Sequence, residues 1–298
     1  MIAAYRRWQR NASSILGINR RNLDFIYRLN RRSRFPLVDD KVRAKNILSI
    51  HGIAIPEALA VVDTRAGIAA AIPALERHED FVVKPACGFG GGGIEVFGGP
   101  TCETGEGSDR TARLRFHMTS ILAGMYSLDA EHDRVLVEEL VVENPGLRAI
   151  HGDAGVCDIR LILSDGRVVM AMLRVPCQAS RPTANLHRGG IGVGIDMETG
   201  LTTFAVCRGR PILSHPDTGV ALSGIAVPFW DEALEMARPL NEMFGLGYLG
   251  VDVVVHATRG PLVLEINARP GLAIQLANMR GLRTALSGGV PSRGGSRC

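Results

Sequence analysis

The 298-residue chain has no apolar run long enough to cross a bilayer as a helix, and its opening MIAAYRRWQRNASS lacks the apolar core of a secretory signal. Both absences point to a cytoplasmic protein. Cysteine is sparse and unpatterned. Cys87, Cys102, Cys157, Cys177, Cys207 and Cys298 include no C-x-x-C and no metal-like spacing, which speaks against a cysteine-built metal centre and suits a reducing compartment. No internal repeat is present, and no specific nucleic-acid motif accompanies the basic residues. The sharpest shortage is lysine: of 34 basic residues only Lys41, Lys45 and Lys84 are not arginine. A chain that accepts arginine for generic positive charge keeps lysine where a compact ammonium is needed, as beside a phosphate.

What is present is a packed globular composition, 46% hydrophobic with mean hydropathy +0.12. The net charge of +4 conceals an asymmetry, because residues 1–35 hold nine arginines and one acid, Asp24. This segment reads either as a solvated arginine-rich helix pair or as a patch for a protein partner or anionic surface. It is predicted as one or two helices, broken near Gly17 and ended by Pro36.

Asp39-Asp40 then caps a helix over KVRAKNILSIHG, stopped by Gly52. IAIPEALAVVD reads as a strand, followed by a helix over residues 66–76, and FVVKP and GIEVF as two strands joined by glycines. Residues 98–109 read as a polar loop, 113–128 as a helix, RVLVEELV as a buried strand, and CDIRLIL and RVVMAMLRV as a hairpin turned at Asp165-Gly166. A glycine-rich loop over 189–194, an amphipathic helix over 229–244 and a strand pair in GYLGVDVVVHATRGPLVLEIN follow, before a disordered tail. The class is α+β with antiparallel sheets.

Four constellations carry chemistry. In FVVKPACGFGGGGIEVF the lysine precedes the glycines and an extended run follows them, so neither a P-loop nor a Rossmann turn fits. The stretch is a glycine hairpin able to fold over a triphosphate, or an ordinary flexible loop. Asp252 and Glu265 face each other if the HATRGP turn is symmetric about Thr258-Arg259, with Asn267 on the same side. Opposed like charges destabilise a strand pair unless a hard cation lies between them, and an all-oxygen set favours Mg2+. Asp158 and Arg160 share one face of CDIRLIL as an ion pair or an anion anchor. In RPTANLHRGGIGVGI, Asn185, His187 and Arg188 line a polar loop, and Arg188 can grip a carboxylate or phosphate.

Taken in order, VDDK, FVVKP with its glycines, LVEELV, CDIR, NLHRGG, GVDVVV and LEINARPGL resemble the ATP-grasp superfamily over residues 36–283. The whole chain, with its basic arm, looks closest to the α-L-glutamate ligase-like, sugar-transfer-associated branch. The resemblance implies an ATP-grasp fold: a basic helical arm over 1–38, a lobe over 39–140 carrying the glycine flap, a lobe over 141–285 carrying the metal site, and a disordered tail over 286–298. It implies phosphate contacts from Lys41 and Lys84, and a flap made by Gly88, Gly90, Gly91, Gly92 and Gly93. It also implies adenine contacts from Glu138 and from the backbone of Glu139 and Val141, and a ribose contact from Glu143. Asp252, Glu265 and Asn267 would hold two Mg2+ ions, a role Mn2+ can also fill. Arg160, Asn185 and Arg188 would steady the transferred phosphate.

The implied activity is carboxylate–amine ligation through an acyl phosphate, on small-molecule or peptide substrates, with glutamate or a related amino acid as one of them. The family usually carries an α/β domain ahead of these lobes, whereas about 40 residues precede VDDK here. The arm would then supply part of the acceptor site, or another protein would hold the acceptor. Two rivals are an ATP-binding regulatory or assembly subunit of a cell-envelope or polysaccharide pathway, and a kinase-like transferase.

Overall fold

A computed structural model of the chain describes residues 14–88, 90–98, 107–127, 131–181 and 183–287. The expected tail beyond 287, the first thirteen residues and most of the 98–109 loop lie outside the described residues.

From Ser14 on, where the arm is described, it is mainly helical and packed on the body. Helix α1 consists of α-helical Ile18–Arg20 and Tyr27–Leu29 on either side of a π-helical turn, Arg21–Ile26. Leu16, Ile26 and Phe35 bury themselves in the largest core, so this part of the arm belongs to that body. Pro36 does not end a helix but opens one, α2 (Pro36–Asp39), because its fixed φ and missing N–H suit a first helical turn. Asp40 caps α3 (Lys41–Ile50) by accepting from Val42 N and Arg43 N, and Gly52 at φ +70° closes it.

The first sheet, β1 (Ala58–Val62), β4 (Val135–Glu138), β2 (Phe81–Pro85) and β3 (Glu95–Phe97) in spatial order, is antiparallel throughout. Helices α4 (Arg65–Leu75) and α5 (Gly107–Leu122) cover it, enclosing Ile68, Leu75, Phe81, Val83, Phe97, Met118 and Val137. Helix α5 both starts and ends earlier than the sequence suggests. Helix α3, grouped with this lobe by sequence, sends Ala44 and Leu48 into the other core.

The second sheet has seven antiparallel strands in the order β11 (Gly260–Asn267), β10 (Tyr248–His256), β5 (Asp158–Ser164), β6 (Arg167–Val175), β7 (Ile191–Ile195), β8 (Thr202–Cys207) and β9 (Arg210–Ile212). The run 191–195 is therefore strand, with only Gly189-Gly190 left as loop. The β5–β6 hairpin turns at Asp165 (φ +47°) and Gly166 (φ +76°), the double positive φ that matches strand twist. The expected long helix over 229–244 is two, α7 (Trp230–Ala237) and α8 (Leu240–Phe244), because Pro239 interrupts the amide ladder. Helix α6 (Pro145–His151) precedes β5, and α9 (Ile274–Ala277) and α10 (Leu282–Ser287) are the last described elements. Leu286, assigned to the tail by sequence, is buried in the core.

Candidate functional site

Strand alternation builds the first half of the site. In β2, Phe81 and Val83 enter the core while Lys84 takes the opposite face; in β4, Val135 and Val137 enter while Glu138 does the same. Lys45 reaches the same place from α3, one turn after Lys41. The Glu138 carboxylate, 2% exposed, lies between the Lys84 and Lys45 ammoniums, the latter 2.5 Å away and 5% exposed. Burial, followed by the like charge of Lys84, pushes Lys45 down to about 8. Burial opposes ionisation of Glu138, and the two lysines outweigh it and hold its pKa below the usual range.

The second sheet supplies the other half. Asp252 pairs in register with Arg160 on one side and Glu265 on the other, and Asp158 pairs with Arg174. With Asn267 two residues beyond Glu265, all six lie on one face. Asp158 and Arg160 do not pair with each other. Arg160 forks onto both Asp252 oxygens, with Nη2 at 2.7 Å from Oδ2. Arg174 bridges Asp158 at 2.5 Å and Asp252 at 2.7 Å. Burial works against the Asp252 charge, but Arg160 and Arg174 keep its pKa low. Asp158, with burial dominant and Arg174 only partly offsetting it, rises to about 6. Burial would lower the Arg174 pKa, yet Asp158 and Asp252 raise it.

Lys41 joins the two halves: its ammonium donates to Gly88 O at 2.8 Å and lies 3.4 Å from Glu265. Glu265 also acts electrostatically on Lys45 and on Arg174, so five cations and four carboxylates, Glu265 among them, form one connected cluster. Above the cluster the glycine hairpin is held at several points. Gly93 adopts φ +73°, and a Cβ there would meet the Tyr126 ring at 2.6 Å. Its carbonyl contacts His117 Nε2 at 2.9 Å. Gly90, at φ +64°, accepts from Asn185 Nδ2 at 2.9 Å, so the NLHRGG loop touches the hairpin tip. Gly91 and Gly92 lie between these anchors, Gly91 against Thr183. Arg188, on the helical turn Leu186–Arg188, is exposed and has no ion-pair partner among the described residues.

Some sequence expectations are redirected. The Glu138 side chain is committed to two lysines. Glu139 accepts from Glu57 N at 2.7 Å and pairs with Arg259 at 2.5 Å, and Val141 is half-buried outside the strand. Glu143 is turned inward, its oxygens taken by His151 Nε2 at 2.7 Å and Cys157 N at 2.6 Å, so its carboxylate is not available to a ribose.

Sequence reasoning missed Lys45 and Arg174. The i, i+4 spacing from Lys41 was the available signal for Lys45. Arg174 was hidden by a bulge: counting outward from Asp165-Gly166 puts Leu173 opposite Asp158, but an extra residue at Val169 shifts the register and brings Arg174 there. The facing of Asp252 and Glu265 arises differently from the expected symmetric turn. The turn pairs His256 with Gly260, and an extra residue at Leu264 restores the register.

The oxygen donors fit a hard divalent cation. Glu265 is partly exposed and loosely held, Asn267 offers a neutral oxygen beside it, and buried Asp252 keeps a lone pair beyond its arginine contacts.

Two antiparallel sheets joined across a cationic cluster, with a glycine hairpin from one sheet touching a loop of the other, define a protein of the ATP-grasp class. The chain belongs to the sugar-transfer associated ATP-grasp family, whose model matches residues 20–288. It is 26% identical over 246 residues to a probable alpha-L-glutamate ligase of Klebsiella pneumoniae (strain 342), covering 83% of this chain and 61% of that one. It is 29% identical over 161 residues to the ribosomal protein bS6–L-glutamate ligase of Salmonella paratyphi B, covering 54% and 38%. The chain thus spans less than two thirds of the length of either relative. Among solved structures, a biotin carboxylase complex from Campylobacter jejuni shares the fold with TM-score 0.51 at 16% identity, over 87% of this chain and 48% of that one. No helix among the described residues is long and apolar enough to cross a membrane.

Proposed function

We propose that the chain is an ATP- and Mg2+-dependent ligase that joins a carboxylate to an amine through an acyl phosphate, with glutamate or a related amino acid as one reactant. The observation that carries this reading is that Glu265, beneath a tethered glycine hairpin, links Lys41 and the Lys45–Glu138–Lys84 group of one sheet to the Arg174–Asp252–Arg160 group of the other. Such a cluster is built for a polyanion whose charge is redistributed during reaction.

In this reading Lys84 and Lys45 leave Glu138 in part to contact phosphate oxygens, and Lys41 holds the hairpin base by Gly88 while facing the same oxygens. Backbone groups of Gly90, Gly91, Gly92 and Gly93 close over the triphosphate, and Asn185 ties the hairpin tip to the second lobe. The backbone of Glu139 and Val141 meets the adenine. Asp252, Glu265 and Asn267 would hold Mg2+, which neutralises charge on the phosphate oxygens. Arg160 and the exposed Arg188 orient the substrate carboxylate for attack on the γ-phosphorus, which forms the acyl phosphate, breaks the bond to the β,γ-bridging oxygen and releases ADP. An amine then attacks the acyl carbon and phosphate leaves, with the closed hairpin excluding water.

The test incubates purified protein with ATP, Mg2+, glutamate and panels of acids and amines, with hydroxylamine added to trap an acyl phosphate as hydroxamate. Amide or hydroxamate matched by ADP, abolished in Asp252→Asn, is the expected result. ATP binding without turnover across the panels would favour a regulatory subunit, and a stable phosphate ester would favour a kinase-like transferase.

A further inference from the structure

Helix α1 combines two surfaces on its outward side. Ile18, Leu23 and Tyr27 are 63%, 65% and 60% exposed. Around them Arg20 and Arg28, and Arg31, Arg32 and Arg34 just beyond, are exposed as well. Asp24 is the sole acid of this stretch and pairs with Arg20 at 3.7 Å. Arg28, Arg31, Arg32 and Arg34 have no carboxylate partner among the described residues.

The apolar residues have no home on the protein's own body, because the helix is pinned by its other side. Asn30 exchanges hydrogen bonds with Tyr248 at 2.8 and 2.9 Å, Arg21 donates to Pro270 O at 2.7 Å, and Phe25 packs on the Tyr248 ring. Backbone geometry contributes too. Ile18 and Tyr27 are nine residues apart, about two and a half turns of a regular α-helix, which would set them on opposite faces. The wider π turn over Arg21–Ile26 draws Ile18 round towards Leu23 and Tyr27. The composition also continues upstream, where residues 1–13 contain Tyr5, Trp8, Arg6, Arg7 and Arg10 and no acid.

We propose that the exposed side of α1, with the turn that follows it, docks on a bilayer surface rich in anionic phospholipid. The guanidinium forks match headgroup phosphates, and Ile18, Leu23 and Tyr27 leave water for the boundary between headgroup and acyl chain. Nucleic acid or an acidic polypeptide would engage the arginines but give the two aliphatic side chains no comparable gain. Arg21 and Asn30 also hold the segment after Asn267, through Pro270 O and Ala268 O, so the docked face adjoins the candidate site. The proposal does not depend on the ligase reading.

Sedimentation of the full chain with phosphatidylcholine vesicles, with or without phosphatidylglycerol, tests it. Binding is expected to rise roughly tenfold or more with the anionic lipid and to weaken with salt. Binding should fall roughly tenfold in Arg28→Glu/Arg31→Glu/Arg32→Glu and likewise in Leu23→Asp/Tyr27→Asp, all exposed positions whose variants should keep the wild-type melting temperature. Equal partition onto both vesicle types, or none onto either, overturns the proposal whatever the variants do. Wild-type binding by Leu23→Asp/Tyr27→Asp also overturns it, as does full displacement by polyglutamate or duplex DNA, since each result marks a general polyanion patch.

Discussion

Replacing Glu138 by glutamine leaves two nearly buried lysines without their shared carboxylate while preserving volume. Removing one partner of a buried ion pair costs about 3–5 kcal/mol, because the remaining charge is desolvated and uncompensated. Lys45 can account for only part of this. Its pKa already lies at about 8 against 10.5 unperturbed. Once it falls below 7 the ammonium sheds its proton, which caps its share at pH 7 at about 1.4 kcal/mol, one pH unit. The remainder falls on Lys84. At about 2–4 °C per kcal/mol for a chain of this size class, melting should drop by roughly 10 °C.

The pH dependence has a definite sign. A lysine whose folded pKa is depressed binds fewer protons folded than unfolded, so stability rises with pH between about 8 and 10.5 in the wild type. In Glu138→Gln that rise begins lower. By about pH 9 both proteins have lost the Lys45 proton in the folded state, and the deficit should be about 1.4 kcal/mol smaller than at pH 7. Urea titrations at the two pH values measure this. A variant within about 1 kcal/mol of wild type at pH 7, or a deficit that grows with pH, would refute the buried-triad account.

Asp158 titrates at about 6 in the fold against 3.8 unperturbed, so its contribution to stability is present below 3.8 and is lost as pH rises through 6. Asp158→Asn should therefore gain on wild type across that window, by up to about 3 kcal/mol, and a flat difference in denaturant titrations would count against it. Gly93→Val should displace the hairpin against Tyr126 and Pro85, lowering stability by about 1–3 kcal/mol and weakening ATP binding in calorimetry. Gly90→Ala, with open space around its Cβ, should cost about 1 kcal/mol from backbone strain alone.

Much of the fold could be read from local pattern, because alternation and turn chemistry act within a few residues. FVVKP declared a strand by its apolar run, and Asp165-Gly166 declared its hairpin. Asp252, Glu265 and Asn267 were also legible, although the symmetric turn used to pair them is replaced by a three-residue turn and a compensating bulge at Leu264. Bulges are where reading failed, since nothing local in RVVMAMLRV says that Val169 is an extra residue. Glu138 and Glu143 entered only through the family resemblance, as adenine and ribose contacts; the partner of Glu138 lies far upstream on α3, and that of Glu143 stands eight residues on, at the far end of α6. Lys45 from α3 and His151 from α6 decide that these carboxylates look inward.

The bulge at Leu264 also makes the site tolerant of change at the hairpin end. The rung joining Asp252 to Glu265 is fixed from the neighbouring strand, where Arg160 grips Asp252, and the register slips between that rung and the turn. Residues 257–259 can therefore lengthen or shorten with the offset absorbed at the bulge, as slack in a joint absorbs travel, while the oxygen donors keep their alignment. A changed turn there leaves the oxygen donors aligned, while the Arg259 tie to Glu139 and the bond from Ala257 N to Val142 O have to be remade.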